Sequence, residues 1–384
     1  MKFPGKLQAK LDERSAKNAL RSLPGPTGKE DFSSNDYLGF ARSEAIFQAT
    51  HRLLTERNLL QNGATGSRLL SGNHTLYEEA EQHLTGFHRS EAALIFNSGY
   101  DANIGFFSAV PQRGDIIFYD EYIHASIRDG IGMSHARGYK FLHNNPEDLR
   151  KALQRVQLLP DSQKKDIYIV TESVFSMDGD APDLEHMAAL ALEYNAFLVV
   201  DEAHALGIFG RQGCGRVQHL GLENEVFARI VTFGKALGCH GAAILGSLAL
   251  RDYLVNFARS FIYTTALPPP GVAAILAAYQ HLKKETTAVK QLKDNIGLFK
   301  LTLKKAGLER LFIPSDSAIH CCMLPGNDRV KRVAEQVRQS GFDVKPILSP
   351  TVPADKERLR FCLHSYNTPK AIEEVIDLLR TFVA

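Results

Sequence analysis

AFLVVDEA, residues 196–203, continuing as HALG to residue 207, decides the fold. Ala196 through Val200 form an unbroken apolar run with neither polar alternation nor proline. A strand buried on both faces needs that pattern, and such strands belong to parallel sheets covered by helices on each side. The same grammar repeats outward. ALIFNS (93–98), DIIFYD (115–120) and DIYIVTES (166–173) precede the stretch; RIVTFG (229–234) and AAILGS (242–247) follow it. Helical patterns such as PEDLRKALQRVQ (146–157) and DLEHMAALALEY (183–194) lie between them. The alternation predicts an α/β domain with a mostly parallel sheet.

The remainder reads as a smaller α+β domain. A long helical stretch from about 270 to 306 is followed by short strands, a helix at 328–339, the strand RLRFCL (358–363) and a terminal helix from 368. At the other end, residues 7–23 form an amphipathic pattern with Leu7, Leu11, Ala16 and Leu20 near one face. The expected division is an N-terminal arm over 1–42, a large domain over 43–285 and a small domain over 286–384, which suits a chain of 384 residues. Lys and Arg number 45 against 43 Asp and Glu, and this near-balance argues against a nucleic-acid or membrane-surface binder. The five cysteines are an odd number without CxxC spacing, so neither a disulfide framework nor a zinc site is expected. The charged N-terminus lacks a secretory core and no apolar run approaches membrane-spanning length, so the expectation is a cytoplasmic protein.

In an open parallel sheet, ligands bind beyond the carboxyl ends of the strands. Here those ends carry Asn97-Ser98-Gly99-Tyr100, then Tyr122 and His124, then Ser173 to Gly179, then Asp201-Glu202-Ala203-His204, then Thr232-Phe233-Gly234-Lys235. Taken singly, these are a turn, a helix-start histidine, a helix cap and a solvated lysine. Together they put an anion cradle, an acid, imidazoles and a lysine on one rim. Pyridoxal phosphate requires that set: a lysine for its aldehyde, a carboxylate that keeps its ring nitrogen protonated, and backbone N–H groups at a helix start for its phosphate. His124 can stack on the ring. Thr232 can reach the phosphate while Lys235 reaches the aldehyde, with Gly234 expected to supply the sharp turn between them.

Asp201-Glu202-Ala203-His204 also matches the DEAH signature of nucleotide hydrolases. That reading needs a GxxxxGK[ST] loop upstream. The Gly-Lys pairs at Gly5, Gly28 and Gly234 are followed by Leu, Glu and Ala, and none has the required earlier glycine.

The stretches FSSNDYLGF (32–40), GATGSRLLSGNHTLYEEAE (63–81), FNSGYDAN (96–103), IHASIRDG (123–130), TESVFSMDGD (171–180), VVDEAHALG (199–207), VTFGKALG (231–238) and FIYTTALPPP (261–270) resemble the α-oxoamine synthases, a group of fold-type I pyridoxal-phosphate enzymes. The resemblance runs from about residue 10 to the end. It implies the fold-type I architecture: a large domain with a mostly parallel seven-stranded sheet and a small C-terminal α+β domain. It also implies decarboxylative condensation of an amino acid with an acyl thioester in a homodimer with shared sites. The short N-terminus and overall length are most similar to members that join L-alanine to pimeloyl-CoA or a pimeloyl carrier protein. Sister enzymes use glycine with acetyl- or succinyl-CoA, or serine with a long acyl-CoA.

Carried over to this chain, the resemblance makes Lys235 the Schiff-base lysine and the base and acid at the substrate Cα. Asp201 would pair with the ring nitrogen, and His204 and Ser176 would flank the phenolic oxygen. His124 would stack on the ring and face the substrate. Ser98, Gly99, Tyr100 and Thr232 would hold the phosphate, with Thr264 and Thr265 reaching a partner's phosphate. Asn35 and Arg360 would meet the amino-acid carboxylate, with Arg21 and Thr351 nearby. No metal is expected. Two departures stand out: His204-Ala205-Leu206-Gly207 replaces the common His-Gly-Thr/Ser-Gly, and Cys239-His240-Gly241-Ala242 replaces a frequent Gly-Gly pair. A Cys239–His240 thiol–imidazole couple is disfavoured, since loop neighbours rarely face each other. Cys321 and Cys322 read as small-domain core.

Overall fold

The computed structural model describes residues 3–21, 23, 25, 28–158, 165–284 and 286–383. Ser22, inside the expected N-terminal helix, and Glu285, the expected end of the large domain, lie outside the described residues. The chain divides into two compact units, one of Asp36–Phe175 and Ala181–Val289, the other of Met1–Asn35, Ser176–Asp180 and Lys290–Ala384. This differs from the division read from sequence: residues 1–35 group with the C-terminal part instead of standing as an arm, and Ser176–Asp180 join them.

The larger unit is built on seven strands: β1 (Ala92–Phe96), β2 (Ile116–Asp120), β3 (Arg137–Phe141), β4 (Ile167–Glu172), β5 (Phe197–Asp201), β6 (Ala228–Thr232) and β7 (Ala242–Gly246). Their order is β1-β7-β6-β5-β4-β2-β3, with β7 antiparallel to both its neighbours and the other pairs parallel. The sheet is therefore mostly parallel and seven-stranded. Apolar cores fill both faces. Leu94, Ile117, Val199 and Ile230 pack with Phe106 and Ile127 on one side; Ile116, Ile169, Leu198 and Val200 pack with Leu149, Leu153 and Met187 on the other. Strand β3 escaped the sequence reading because it is an outer strand. Arg137 through Lys140 are exposed and only Phe141 is buried, so the apolar run that marks the central strands is missing.

The helices start where the side chains dictate. Ser98 caps Gly99–Ala109 by accepting from Asp101 N, Asn145 caps Pro146–Gln157, and Asp183 caps Leu184–Glu193. The helical stretch expected over 270–306 is two helices, Pro269–Lys284 and Thr287–Ala306.

In the smaller unit, β8 (Ile319–Met323), β9 (Lys345–Ile347) and β10 (Arg358–Cys362) make an antiparallel sheet in the order β9-β10-β8. Helices Asn327–Gln339 and Pro369–Val383 accompany it, each burying one apolar stripe. The N-terminal helix is shorter than expected, Gly5–Ala16, and buries none of its residues. Cys321 and Cys322 are fully buried on β8. Gly179 has φ +79°, and a Cβ there would lie 2.1 Å from the carbonyl oxygen of Ile319, so only glycine fits this approach.

Candidate active site

At the carboxyl ends of β1, β2, β4, β5 and β6 a cleft of about 200 Å³ is lined by Gly99, Tyr100, Asn103, His124, Ser126, Glu172, Asp201, Ala203, His204, Ile230, Thr232 and Lys235. Asp201 ends β5. Its Oδ2 accepts from Asn103 Nδ2 at 3.0 Å and its Oδ1 from Ala203 N at 2.9 Å. Asn103 stands four residues after Gly99, so one helix brings both its first turn and the acid's partner to the cleft. His204 is held at both ring nitrogens: Nδ1 lies 2.7 Å from Tyr37 Oη and Nε2 lies 2.8 Å from Lys235 Nζ. His124 caps the helix Ala125–Met133, with Nδ1 2.7 Å from Ser126 Oγ. Burial lowers its pKa, opposed by the charge of Asp201.

The lysine loop is shaped at a different glycine from the one expected. Gly234 has no positive φ, and a Cβ there would make only an ordinary contact. Gly238 instead has φ +60°, and a Cβ on it would lie 2.0 Å from Ala41 N. The turn closes through Gly238 N donating to Lys235 O at 2.9 Å and Cys239 N donating to Phe233 O at 2.8 Å. The Cys239 thiol donates to Leu237 O and Ala274 O, and burial pushes its pKa up to about 12, so it is no thiolate nucleophile. In His204-Ala205-Leu206-Gly207, Ala205 N and Leu206 N both donate to Glu202 O, and Gly207 keeps a positive φ of 83°. The Glu202 side chain is committed elsewhere: it accepts from Arg216 N and Val217 N at 2.6 and 3.0 Å.

Of the residues singled out from sequence, Gly99, Tyr100, His124, Asp201, His204, Thr232 and Lys235 line this cleft. Ser98 Oγ caps the helix and donates to Asp101 Oδ2. Thr264 and Thr265 lie beside Asn97, whose Nδ2 donates to Thr264 Oγ1 and Thr265 O. The others belong to the smaller unit. There Arg360 donates through Nη2 to Asn35 Oδ1 at 3.0 Å and through Nε to Ser176 O at 2.7 Å. In the same unit, Arg21 Nη2 donates to Thr351 Oγ1 at 3.1 Å. Tyr37, Asn103 and Glu172 were missed. Tyr37 and Asn103 stand inside motifs already read as FSSNDYLGF and FNSGYDAN, and Glu172 is the last residue of β4.

The donor set fits pyridoxal phosphate. Gly99 and Tyr100 open a helix of 11 residues whose first N–H groups have no helical partner, with Thr232 beside them. A buried carboxylate, an imidazole and a primary amine complete the lining. The class I and II aminotransferase model matches residues 27–379.

The chain belongs to that family.

Among its relatives, the 8-amino-7-oxononanoate synthase of Emericella nidulans is 41% identical over 98% of this chain and 95% of its own length. A putative enzyme of the same name from Geobacillus kaustophilus is 40% identical over 91% and 87%. Among solved structures, the serine palmitoyltransferase of Sphingomonas wittichii superposes with TM-score 0.89 at 26% identity, covering 100% of this chain and 98% of that one. The 8-amino-7-oxononanoate synthase of Francisella tularensis gives TM-score 0.76 at 28% identity over 93% and 98%. A serine palmitoyltransferase from S. paucimobilis, TM-score 0.87 at 26% identity over 98% and 96%, was solved with a bound pyridoxal phosphate–myriocin adduct. Within the family the chain is an α-oxoamine synthase, an acyltransferase whose cofactor is pyridoxal phosphate. Among the described residues no helix is long and apolar enough to cross a membrane.

Proposed function

We propose that this α-oxoamine synthase condenses L-alanine with pimeloyl-CoA or a pimeloyl carrier protein, giving 8-amino-7-oxononanoate, carbon dioxide and the free thiol, a step of biotin biosynthesis in the cytoplasm. The observation that carries the reading is the 41% identity, over nearly the whole of both chains, to a synthase of that name. Pyridoxal phosphate, when bound, supplies the electron sink for a carbanion at the amino acid's Cα. Asp201, fixed by Asn103 and Ala203 N, would hold the proton on the cofactor's ring nitrogen. Gly99, Tyr100 and Thr232 would bind its phosphate, and His124 would lie against its ring. Lys235 Nζ, oriented by His204 Nε2, would take the Cα proton of alanine and later return one. The Cα then bonds to the thioester carbonyl carbon as the C–S bond breaks and the thiol leaves. Loss of the alanine carboxyl as carbon dioxide follows. Arg360, braced by Asn35 and Ser176 O, would hold that carboxylate, as a bidentate fork suits.

The structural likeness to serine palmitoyltransferases favours a second reading, a sister enzyme with another amino acid and acyl chain. Thiol release measured with alanine, glycine and serine, each against pimeloyl-, acetyl-, succinyl- and palmitoyl-CoA, separates the two. Turnover confined to alanine with pimeloyl-CoA is expected; turnover with serine or glycine while alanine is silent would transfer the assignment to a sister enzyme. The family resemblance also leads us to a homodimer, with Thr264 and Thr265 serving the partner's phosphate site. An active monomer by light scattering would refute it.

A further inference from the structure

Glu172, the last residue of β4, is the Cα partner of Asp201 in the parallel ladder with β5. Both side chains line the cleft, at 3% and 5% exposure. Neighbouring strands stand ~4.8 Å apart, so two carboxylates sit side by side where little water can screen them. Their surroundings differ. Asp201 accepts two N–H groups, from Asn103 and Ala203. The Glu172 side chain accepts a single one among the described residues, from the backbone of His124, with Oε1 2.6 Å from that nitrogen. The other charged groups that act on it are Lys235, from the loop after β6, and Asp120, at the end of β2; His204 lines the same cleft. Burial, and then the negative charge of Asp201, push the Glu172 carboxyl well above the usual carboxylate range, against the opposing pull of Lys235 and His124 N.

We propose that Glu172 is a positioning residue that stands in the cleft beside Asp201 as a neutral carboxylic acid, holding the backbone of His124. This rests on His124 and Asp201 being the cofactor's ring contacts. With one donor and a neighbouring carboxylate, Glu172 keeps its proton and anchors the imidazole loop through His124 N.

Two measurements test it. Titration of pyridoxal phosphate into the cofactor-free chain should show Glu172→Ala binding about tenfold more weakly, for loss of one buried hydrogen bond, and Glu172→Gln, whose amide oxygen can accept the same N–H, within about twofold of the parent. The second is the melting temperature of the cofactor-free chain from about pH 5 to about pH 9. A carboxyl with a raised folded pKa contributes stability that is fully present below its unfolded value, about 4.3, and lost as pH rises through the folded value. Glutamine does not titrate. The Gln variant should therefore gain on the parent as pH rises. A pH-independent difference, a parent that gains on the Gln variant, or a Gln variant as poor as Ala at binding cofactor would each overturn the proposal. Because the melting curves need no cofactor, their failure is distinguishable from failure of the cofactor reading.

Discussion

Tyr37 Oη lies 2.7 Å from Nδ1 of His204, a contact between residues 167 positions apart in the chain. Tyr37 is fully buried, so its ring is locked and the imidazole it touches is fixed in the plane that brings Nε2 to Lys235. Tyr37→Phe removes that hydrogen bond and keeps the packing. The expected loss in kcat/KM is about tenfold, the worth of one buried hydrogen bond of roughly 1–1.5 kcal/mol. Steady-state kinetics with the melting temperature as control decides it, and parent-like kinetics would mean that the phenol is structural only.

Lys235 is the amine on the cleft wall, and among the described residues no other lysine lines it. Lys235→Ala should lose turnover by at least ~10³-fold and retain no visible absorbance after free cofactor is dialysed away. A dialysed variant whose visible spectrum matches the parent's would remove Lys235 from its assigned role.

Arg360 donates from Nη2 to Asn35 and from Nε to Ser176 O, and its proposed role is to hold the amino-acid carboxylate. Lysine keeps the charge and loses that geometry. Arg360→Lys should raise KM for the amino acid by about tenfold or more, with cofactor affinity held to within about twofold. A fall in cofactor affinity with KM unmoved would place the arginine's role elsewhere.

His320 on β8 is buried against Phe299, ring centroids 4.8 Å apart, and burial pushes its pKa down to about 3. A histidine with a lowered folded pKa contributes stability present above its unfolded value of about 6.5 and lost as pH falls through the folded value. His320→Leu should therefore melt less steeply with acid than the parent between about pH 6.5 and about pH 4. Parallel melting curves would show that His320 titrates normally.

Much of this was legible in the chain itself. Central strands buried on both faces must be apolar without interruption, which is why 196–203 and its neighbours could be read directly, and why polar residues at their ends stood out. The motifs around Asp201, His124 and Lys235 lie within a few residues of those ends, so order along the chain carries their convergence. What local pattern lacks is anything made by distant partners. Strand β3 is paired on one edge and largely exposed, so no apolar run announces it. The turn that aims Lys235 is set at Gly238 by the approach of Ala41, not at Gly234 where the motif suggested it. Glu172 becomes the neighbour of Asp201 only through strand register, and Tyr37 the partner of His204 only when the chain folds back across 167 positions. Hydrophobic periodicity and short motifs act over a turn or a strand, and these the sequence alone determined. Register, burial of a carboxyl, and the hand-over of one hydrogen bond from a remote segment are properties of packing, and only the tertiary structure decided them.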